Sequence, residues 1–90
     1  MKVTTASGFK CEIKEEKLKD WRLVKAIAEA ESGDTAKAIK GFAFIISFLL
    51  GEKGEADLEK HLEKDGVVSV DELGAEIREI LSKLGEAGKK

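Results

Sequence analysis

The feature that most constrains the fold is the apolar segment Phe42–Leu50, which is interrupted only by Ser47. Its nine residues are about half of the ~20 that a membrane-spanning helix needs, so the segment must be covered by protein rather than by lipid. No strong helix breaker occurs from Ala36 until Gly51, a residue typical of a helix end. The sequence therefore predicts a central apolar helix in a soluble protein.

Other periodic segments precede this helix. Apolar and polar residues alternate between Val3 and Ile13, and Ser7-Gly8 supplies a turn signal, which together predict an N-terminal β-hairpin. From Lys17 to Glu31, apolar residues fall on one half of a helical wheel. This pattern predicts a first amphipathic helix, and either Asp34 or Thr35 would then cap the second.

Two further helices are predicted in the second half of the chain. The first runs from Glu55 to about Lys64. The second begins at a capping box in which Ser69 is the N-cap and Glu72 the third helical residue, and it stops at Gly85. Because each helix has an apolar stripe to bury, the helices are expected to pack against one another.

These elements predict a mostly α fold: a small four-helix domain with an N-terminal β-hairpin, spanning residues 1–85 and followed by a disordered tail, 86–90. A chain of 90 residues offers one core of marginal size, which makes self-association plausible. The residues expected to form that core are apolar and lie on the predicted stripes: Trp21, Ile27, Phe42, Ile46, Leu49, Leu58, Leu62, Ile77 and Leu81.

The charge and cysteine content argue against several classes of partner. The net charge of −2 provides no basic field for a nucleic acid backbone. Residues 1–50 carry nine basic and seven acidic groups, and residues 51–90 carry seven and eleven, an imbalance explained most simply by solvated helix faces. A single cysteine and the absence of a signal-peptide pattern favour a reducing cytoplasm.

No residue set in the sequence indicates catalysis. Cys11 and the only histidine, His61, have no spacing that marks them as a pair. The segment from His61 to Glu72 overlays a calcium-binding EF-hand loop, but His61 replaces the first carboxylate of that motif. We therefore expect no catalytic residues, no metal and no cofactor, although a degenerate EF-hand-like, metal-responsive regulatory module is one alternative.

The central helix carries an unexpected aromatic pair. Phe44 and Phe48 fall opposite its main apolar face, among Lys37, Lys40 and Gly41. One interpretation is a helix buried on nearly all sides. The other is a client-binding or self-association surface formed by Lys37, Gly41, Phe44 and Phe48, with Gly41 admitting a partner helix at close range.

Several short stretches occur in a characteristic order over nearly the whole chain. They are Ser7-Gly8-Phe9-Lys10, Asp20-Trp21-Arg22-Leu23-Val24 with Gly33-Asp34, Phe48-Leu49-Leu50-Gly51-Glu52, His61-Leu62 through Asp65-Gly66-Val67-Val68 to Ala75-Glu76-Ile77, and the closing Leu84-Gly85-Glu86-Ala87-Gly88-Lys89. In this order and spacing, the chain resembles the small tail assembly chaperones of long-tailed bacteriophages and their prophages.

The resemblance implies a non-catalytic protein that keeps the tape measure protein soluble and helps to recruit tail tube subunits around it. It also implies action in the cytoplasm of the bacterial host and absence from the mature virion. Many members of that family have a longer second product, made by a translational frameshift. Because more apolar helix surface is present than one small core needs, we also expect a homo-oligomer. The remaining alternative function is a small oligomeric structural protein of the virus particle.

Overall fold

The computed structural model describes residues 1–87 and is mostly helical. Within this range, three α-helices pack with one antiparallel β-hairpin. None of these helices is both long and apolar enough to cross a membrane. The elements in chain order are β1 (Lys2–Thr4), β2 (Lys10–Glu12), a 3-10 helix (Glu15–Lys19), α1 (Trp21–Ala30), α2 (Thr35–Leu62) and α3 (Val70–Ala87).

The predicted N-terminal hairpin is confirmed. β1 pairs with β2 in antiparallel register, with Val3 opposite Cys11. The turn closes where the backbone N–H of Thr5 donates to the carbonyl of Phe9 at 2.9 Å, and Gly8 takes a positive φ of 93°. Because Val3 and Phe9 are buried, the hairpin covers one side of the core.

The first helix begins at Trp21, later than the predicted start at Lys17. Asp20 has an extended backbone conformation and caps α1 through its carboxylate, which accepts the backbone N–H of Arg22 at 2.8 Å. Residues before this cap form the short 3-10 helix instead. The N-cap therefore separates two helical segments that the apolar periodicity merges into one.

The prediction of four helices is wrong, because the predicted second and third helices form one element. α2 begins at the N-cap Asp34, whose carboxylate accepts the backbone N–H of Lys37 at 3.0 Å. Gly51, expected to end the helix, adopts φ 74° and ψ 177° and produces a kink. A glycine can enter this region without steric cost, so the helix resumes directly after a single non-helical residue.

The last helix starts as predicted and ends later. The backbone N–H of Glu72 donates to the Ser69 hydroxyl at 3.4 Å, while the Glu72 carboxylate lies 3.5 Å from the ammonium of Lys64. The second half of the predicted capping box is therefore replaced by an ion pair. α3 continues past Gly85 to Ala87, and the remainder of the predicted tail, 88–90, lies outside the described residues.

The core lies where α1, α2, α3 and the hairpin meet. Five predicted core residues are buried, namely Ile46, Leu49, Leu58, Leu62 and Ile77, and another three, Ile27, Phe42 and Leu81, are partly buried against the core. Trp21 is 70% exposed, so its predicted placement in the core is wrong. α1 instead turns Leu23, Ala26 and Ala30 toward the core, and these are smaller residues on the opposite side of the helix.

Candidate functional site

Helices α1 and α2 approach each other closely at Gly41. A Cβ atom at this position would lie 2.6 Å from the carbonyl oxygen of Ala26 and 2.8 Å from the backbone nitrogen of Ala30. Gly41 is buried beneath α1. The close approach that the sequence predicts for a partner helix is thus made by a helix of the same chain, and Gly41 is not available to a partner in this fold.

The aromatic pair lies at the edge of the same contact. The rings of Phe44 and Phe48 stack with centroids 5.4 Å apart. The Lys17 ammonium and the Arg22 guanidinium lie over the Phe48 ring, 5.2 and 5.3 Å from its centroid. Phe48 is therefore partly covered by cations of its own chain, whereas Phe44 stays at the surface and Lys37 is exposed in the first turn of α2.

A larger apolar surface opens on the other side of α1. α1 packs on α2 and α2 packs on α3, but α1 and α3 hardly touch each other. The space between them is a groove of about 800 Å³. Its lining consists of apolar walls with charged residues near the rim: Met1, Glu15, Leu18, Lys19, Leu23, Ile27, Glu31, Arg78, Leu81, Ser82, Leu84 and Gly85.

The walls of this groove come from three elements. Leu18 of the 3-10 helix and Ile27 of α1 form one wall, and Leu81 of α3 faces them. All three side chains are only partly buried in the folded chain, although they pack against the core from its edge. An open apolar surface bounded by helices is the type of site that receives the apolar face of another helix.

Sequence reasoning does not identify the groove. It assigns Ile27 and Leu81 to the core, and it places Leu18 in a helix that in fact begins later. The one sequence feature that points to the groove is that these residues lie near the edges of their amphipathic stripes. A one-dimensional pattern does not show that two such edges face each other across a gap, because that depends on how far α1 and α3 diverge.

A second cluster of polar residues ties the hairpin to the helices. The Ser7 hydroxyl donates to the Glu76 carboxylate at 2.8 Å and lies 3.1 Å from Nε2 of His61. Because the serine proton is used toward Glu76, His61 acts as the donor to Ser7. A general base would have to accept that proton, so the arrangement supports anchoring of the hairpin rather than activation of the hydroxyl.

Two more contacts strengthen this attachment. The backbone N–H of Ala6 donates to the Glu79 carboxylate at 2.7 Å, and the Lys83 ammonium donates to the carbonyl of Thr4. Glu76 itself is buried, and its second carboxylate oxygen has no hydrogen-bond partner among residues 1–87. The polar side of α3 therefore holds the hairpin turn in place.

The segment that resembles an EF-hand loop has a different geometry. Lys64 and Val67 exchange two backbone hydrogen bonds, 2.8 and 3.0 Å long. Between them Asp65 and Gly66 both take positive φ, 53° and 80°, which is the pattern of a tight type I′ turn. In the part of the chain that the structure describes, no three His, Cys, Asp or Glu side chains come together as a metal site.

The lone thiol lies in the hairpin. Cys11 is partly buried, and this burial, with a smaller contribution from the nearby negative charge of Glu76, raises the pKa of its thiol. A raised pKa keeps the sulfur protonated at neutral pH. Nucleophilic and metal-binding cysteines need the thiolate, so this environment does not favour either role.

Comparison with protein-family models, with curated proteins and with solved structures finds no match to this chain. The apolar walls and open shape of the groove suit a helical segment better than a small polar ligand, which would need converging polar groups.

Proposed function

We propose that this chain is a non-catalytic assembly chaperone that holds an amphipathic helix of a client protein in the groove between α1 and α3. The observation that carries the proposal is the groove itself, about 800 Å³ in volume. Its wall residues Leu18, Ile27 and Leu81 are left partly exposed by the fold. A client helix would remove this apolar surface from water, which is the main favourable term in such binding.

The charged rim adds orientation to the apolar contact. Glu15 and Lys19 lie on one side and Arg78 on the other, with Glu31 at the end of α1. An amphipathic helix carries polar residues beside its apolar stripe, so these mixed charges can pair with that polar flank. The rim thereby favours one register and direction of the bound helix.

The resemblance to phage tail assembly chaperones supports a specific client. In that setting the groove would cover amphipathic helices of the tape measure protein before the tail tube closes around it, and the chaperone would help to recruit tail tube subunits. Host cytoplasm and absence from the virion belong to the same proposal. Two copies of this chain would present two grooves to one long client.

The test is co-expression of the tagged chain with the tape measure protein of the same genome. Leu81→Lys places a charge in the groove wall, and we expect it to reduce captured client at least about tenfold, a loss of ~1.4 kcal/mol in binding. Ile39→Lys is the matched control, because Ile39 is an exposed helical residue outside the groove. Circular dichroism would check that both variants remain folded.

A different result would place the client elsewhere. If Leu81→Lys captured as much client as the unmodified chain, and the double variant Phe44→Ala and Phe48→Ala captured none, the client site would be the aromatic pair of α2. If the unmodified chain captured no tape measure protein, that client would be wrong.

A further inference from the structure

A second cleft opens where the first turns of α2 and α3 meet the end of α1. Its volume is about 430 Å³, and its lining includes the apolar side chains of Ala38, Ile39, Phe42 and Val70. Ile39 is 50% exposed and Val70 is 64% exposed, so the fold leaves both largely uncovered. A cavity of about 150 Å³ already accepts a benzene ring. The cleft therefore has room for an aromatic side chain supplied from outside.

Carboxylates dominate the charge around this cleft. Glu31, Asp34 and Asp71 line it and are exposed, and none of them forms an ion pair within residues 1–87. Among the lining residues that the structure describes, the one cation is Arg78, whose guanidinium lies over the Phe42 ring, 5.5 Å from its centroid. We call this surface the acidic cleft. Its composition suits an apolar side chain that is flanked by positive charges.

The matching combination occurs on another side of α2. Phe44 is 36% exposed, and the exposed Lys37 and Lys40 precede it by two turns and one turn on the same face of the helix. No acidic residue occurs between positions 35 and 50, and neither lysine forms an ion pair in the described part of the chain. Phe48 continues this face and has two cations over its ring. We call Lys37, Lys40, Phe44 and Phe48 the basic aromatic face.

We propose that the basic aromatic face of one copy of this chain docks into the acidic cleft of a second copy. Phe44 of the first copy then covers the uncovered Ile39 and Val70 of the second. The lysines beside Phe44 meet the carboxylates at the rim of the cleft. A second copy satisfies both surfaces with one type of contact, whereas a separate acidic or basic partner would cover one surface and leave the other exposed to water.

The two surfaces are placed so that each copy can use both at once. Phe44 and Ile39 are five positions apart, which separates them by about 140° around the helix axis. A contact between two different surfaces is heterologous, and it repeats from copy to copy until it closes a ring or extends a filament. The groove walls Leu18, Ile27 and Leu81 lie outside both surfaces, although cleft and groove share two charged residues at their boundary. The contact therefore does not depend on the proposed client.

Sedimentation velocity of the full chain at rising concentration is the first measurement. We expect species larger than a dimer, because each docked pair still has one open face and one open cleft. Phe44→Ala should weaken self-association about 30-fold or more, as expected for a buried aromatic anchor. Lys40→Glu, at an exposed position, should weaken it about tenfold because like charges would then meet at the rim. Val24→Ala is the control, since Val24 is 49% exposed on a helix and lies in neither surface.

A mixture of two defective variants tests the pairing directly. Ile39→Lys places a positive charge in the acidic cleft and leaves the basic aromatic face intact, whereas Phe44→Ala removes the anchor and leaves the cleft intact. Each variant alone should be monomeric at a concentration at which the unmodified chain associates. A one-to-one mixture should form a heterodimer and grow no further, because the one intact face is then docked in the one intact cleft.

A chain that stays monomeric at about millimolar concentration, where even a weak interface is occupied, would overturn the proposal. Assembly of the unmodified chain that stops at a dimer would overturn the head-to-tail arrangement, and so would a mixture in which both variants remain monomeric. Client capture separates this test from that of the proposed function. Ile39→Lys should lose self-association and still capture the tape measure protein, and Leu81→Lys should show the reverse.

Discussion

The two sides of α1 differ in how closely the rest of the chain approaches them. Toward α2, the helix is in backbone contact at Gly41, with Ala26 and Ala30 against the glycine. Toward α3, the same helix stands apart and leaves an open groove lined by Leu18 and Ile27. The difference shows that small residues, rather than large apolar ones, determine where two helices of this chain close on each other.

The closed side also explains why the largest apolar side chain of α1 is left outside. A tryptophan facing Gly41 would hold the helices apart, whereas alanines allow the backbones to meet. The groove lies along the other edge of the same helix, where Ile27 and Leu81 stay only partly buried.

Changing Gly41 should give the largest effect. Gly41→Leu is expected to lower the free energy of unfolding by about 4 kcal/mol or more, because the leucine side chain would displace backbone atoms of α1. A loss of this size is enough to prevent folding. Gly41→Ala should cost about 2–3 kcal/mol for the same reason. Urea unfolding is the measurement. If Gly41 served only to admit a partner helix, Gly41→Leu would block partner binding and leave the fold intact, but the contacts with Ala26 and Ala30 predict loss of the fold instead.

Gly74→Ala is the matched control for this experiment. A Cβ atom there would meet the Phe42 ring at 3.7 Å, which is an ordinary contact. The better helix propensity of alanine should make this change neutral or stabilising by up to about 1 kcal/mol. Equal losses at Gly41 and Gly74 would contradict the closed contact.

Leucine truncations should separate the core from the groove wall. Leu58 is fully buried in α2, and Leu58→Ala should cost about 3 kcal/mol. Leu81 is only partly buried beside the groove, and Leu81→Ala should cost about 1 kcal/mol, since less apolar surface returns to water. Denaturant titrations of the two variants give the comparison. A Leu81 loss as large as that of Leu58 would mean that the groove is closed in solution.

The smallest effect is expected at the start of α1 and depends on pH. The hydrogen bond from the Arg22 side chain, and then that from its backbone N–H, lower the pKa of Asp20 below its ordinary value of 3.8. Its stabilising contribution is therefore present at neutral pH and is lost as the pH falls through the lowered pKa. Asp20→Asn should keep the cap but lose the charge.

The measurement is thermal unfolding of both proteins at about pH 7 and about pH 2, above and below the carboxylate titration. The unmodified chain should have the higher unfolding temperature at neutral pH, and the difference in unfolding temperature between the two proteins should shrink in acid. A constant difference would mean that the Asp20 charge does not contribute to the stability of α1.

The sequence is sufficient where a local signal specifies the structure. Alternation around Ser7-Gly8 correctly indicates the hairpin, and the side chains of Asp34 and Ser69 mark two helix starts. Each of these signals acts within a few residues. They depend on backbone groups that the side chain can reach by itself.

The errors arise where distant packing decides between local alternatives. α1 has apolar residues on two faces, and only the contact with Gly41 selects Ala26 and Ala30 over Trp21. Gly51 could equally end a helix or kink it. Hydrophobicity does not distinguish these outcomes, because each choice depends on the shape of elements elsewhere in the chain.

The composition of the groove has one more consequence, which concerns an affinity tag added before Met1. Met1 lines the groove, and its backbone is held there by exchanging hydrogen bonds with Ile13. A tag fused at this position would start at the edge of the groove and would compete with any helix bound there for the same space.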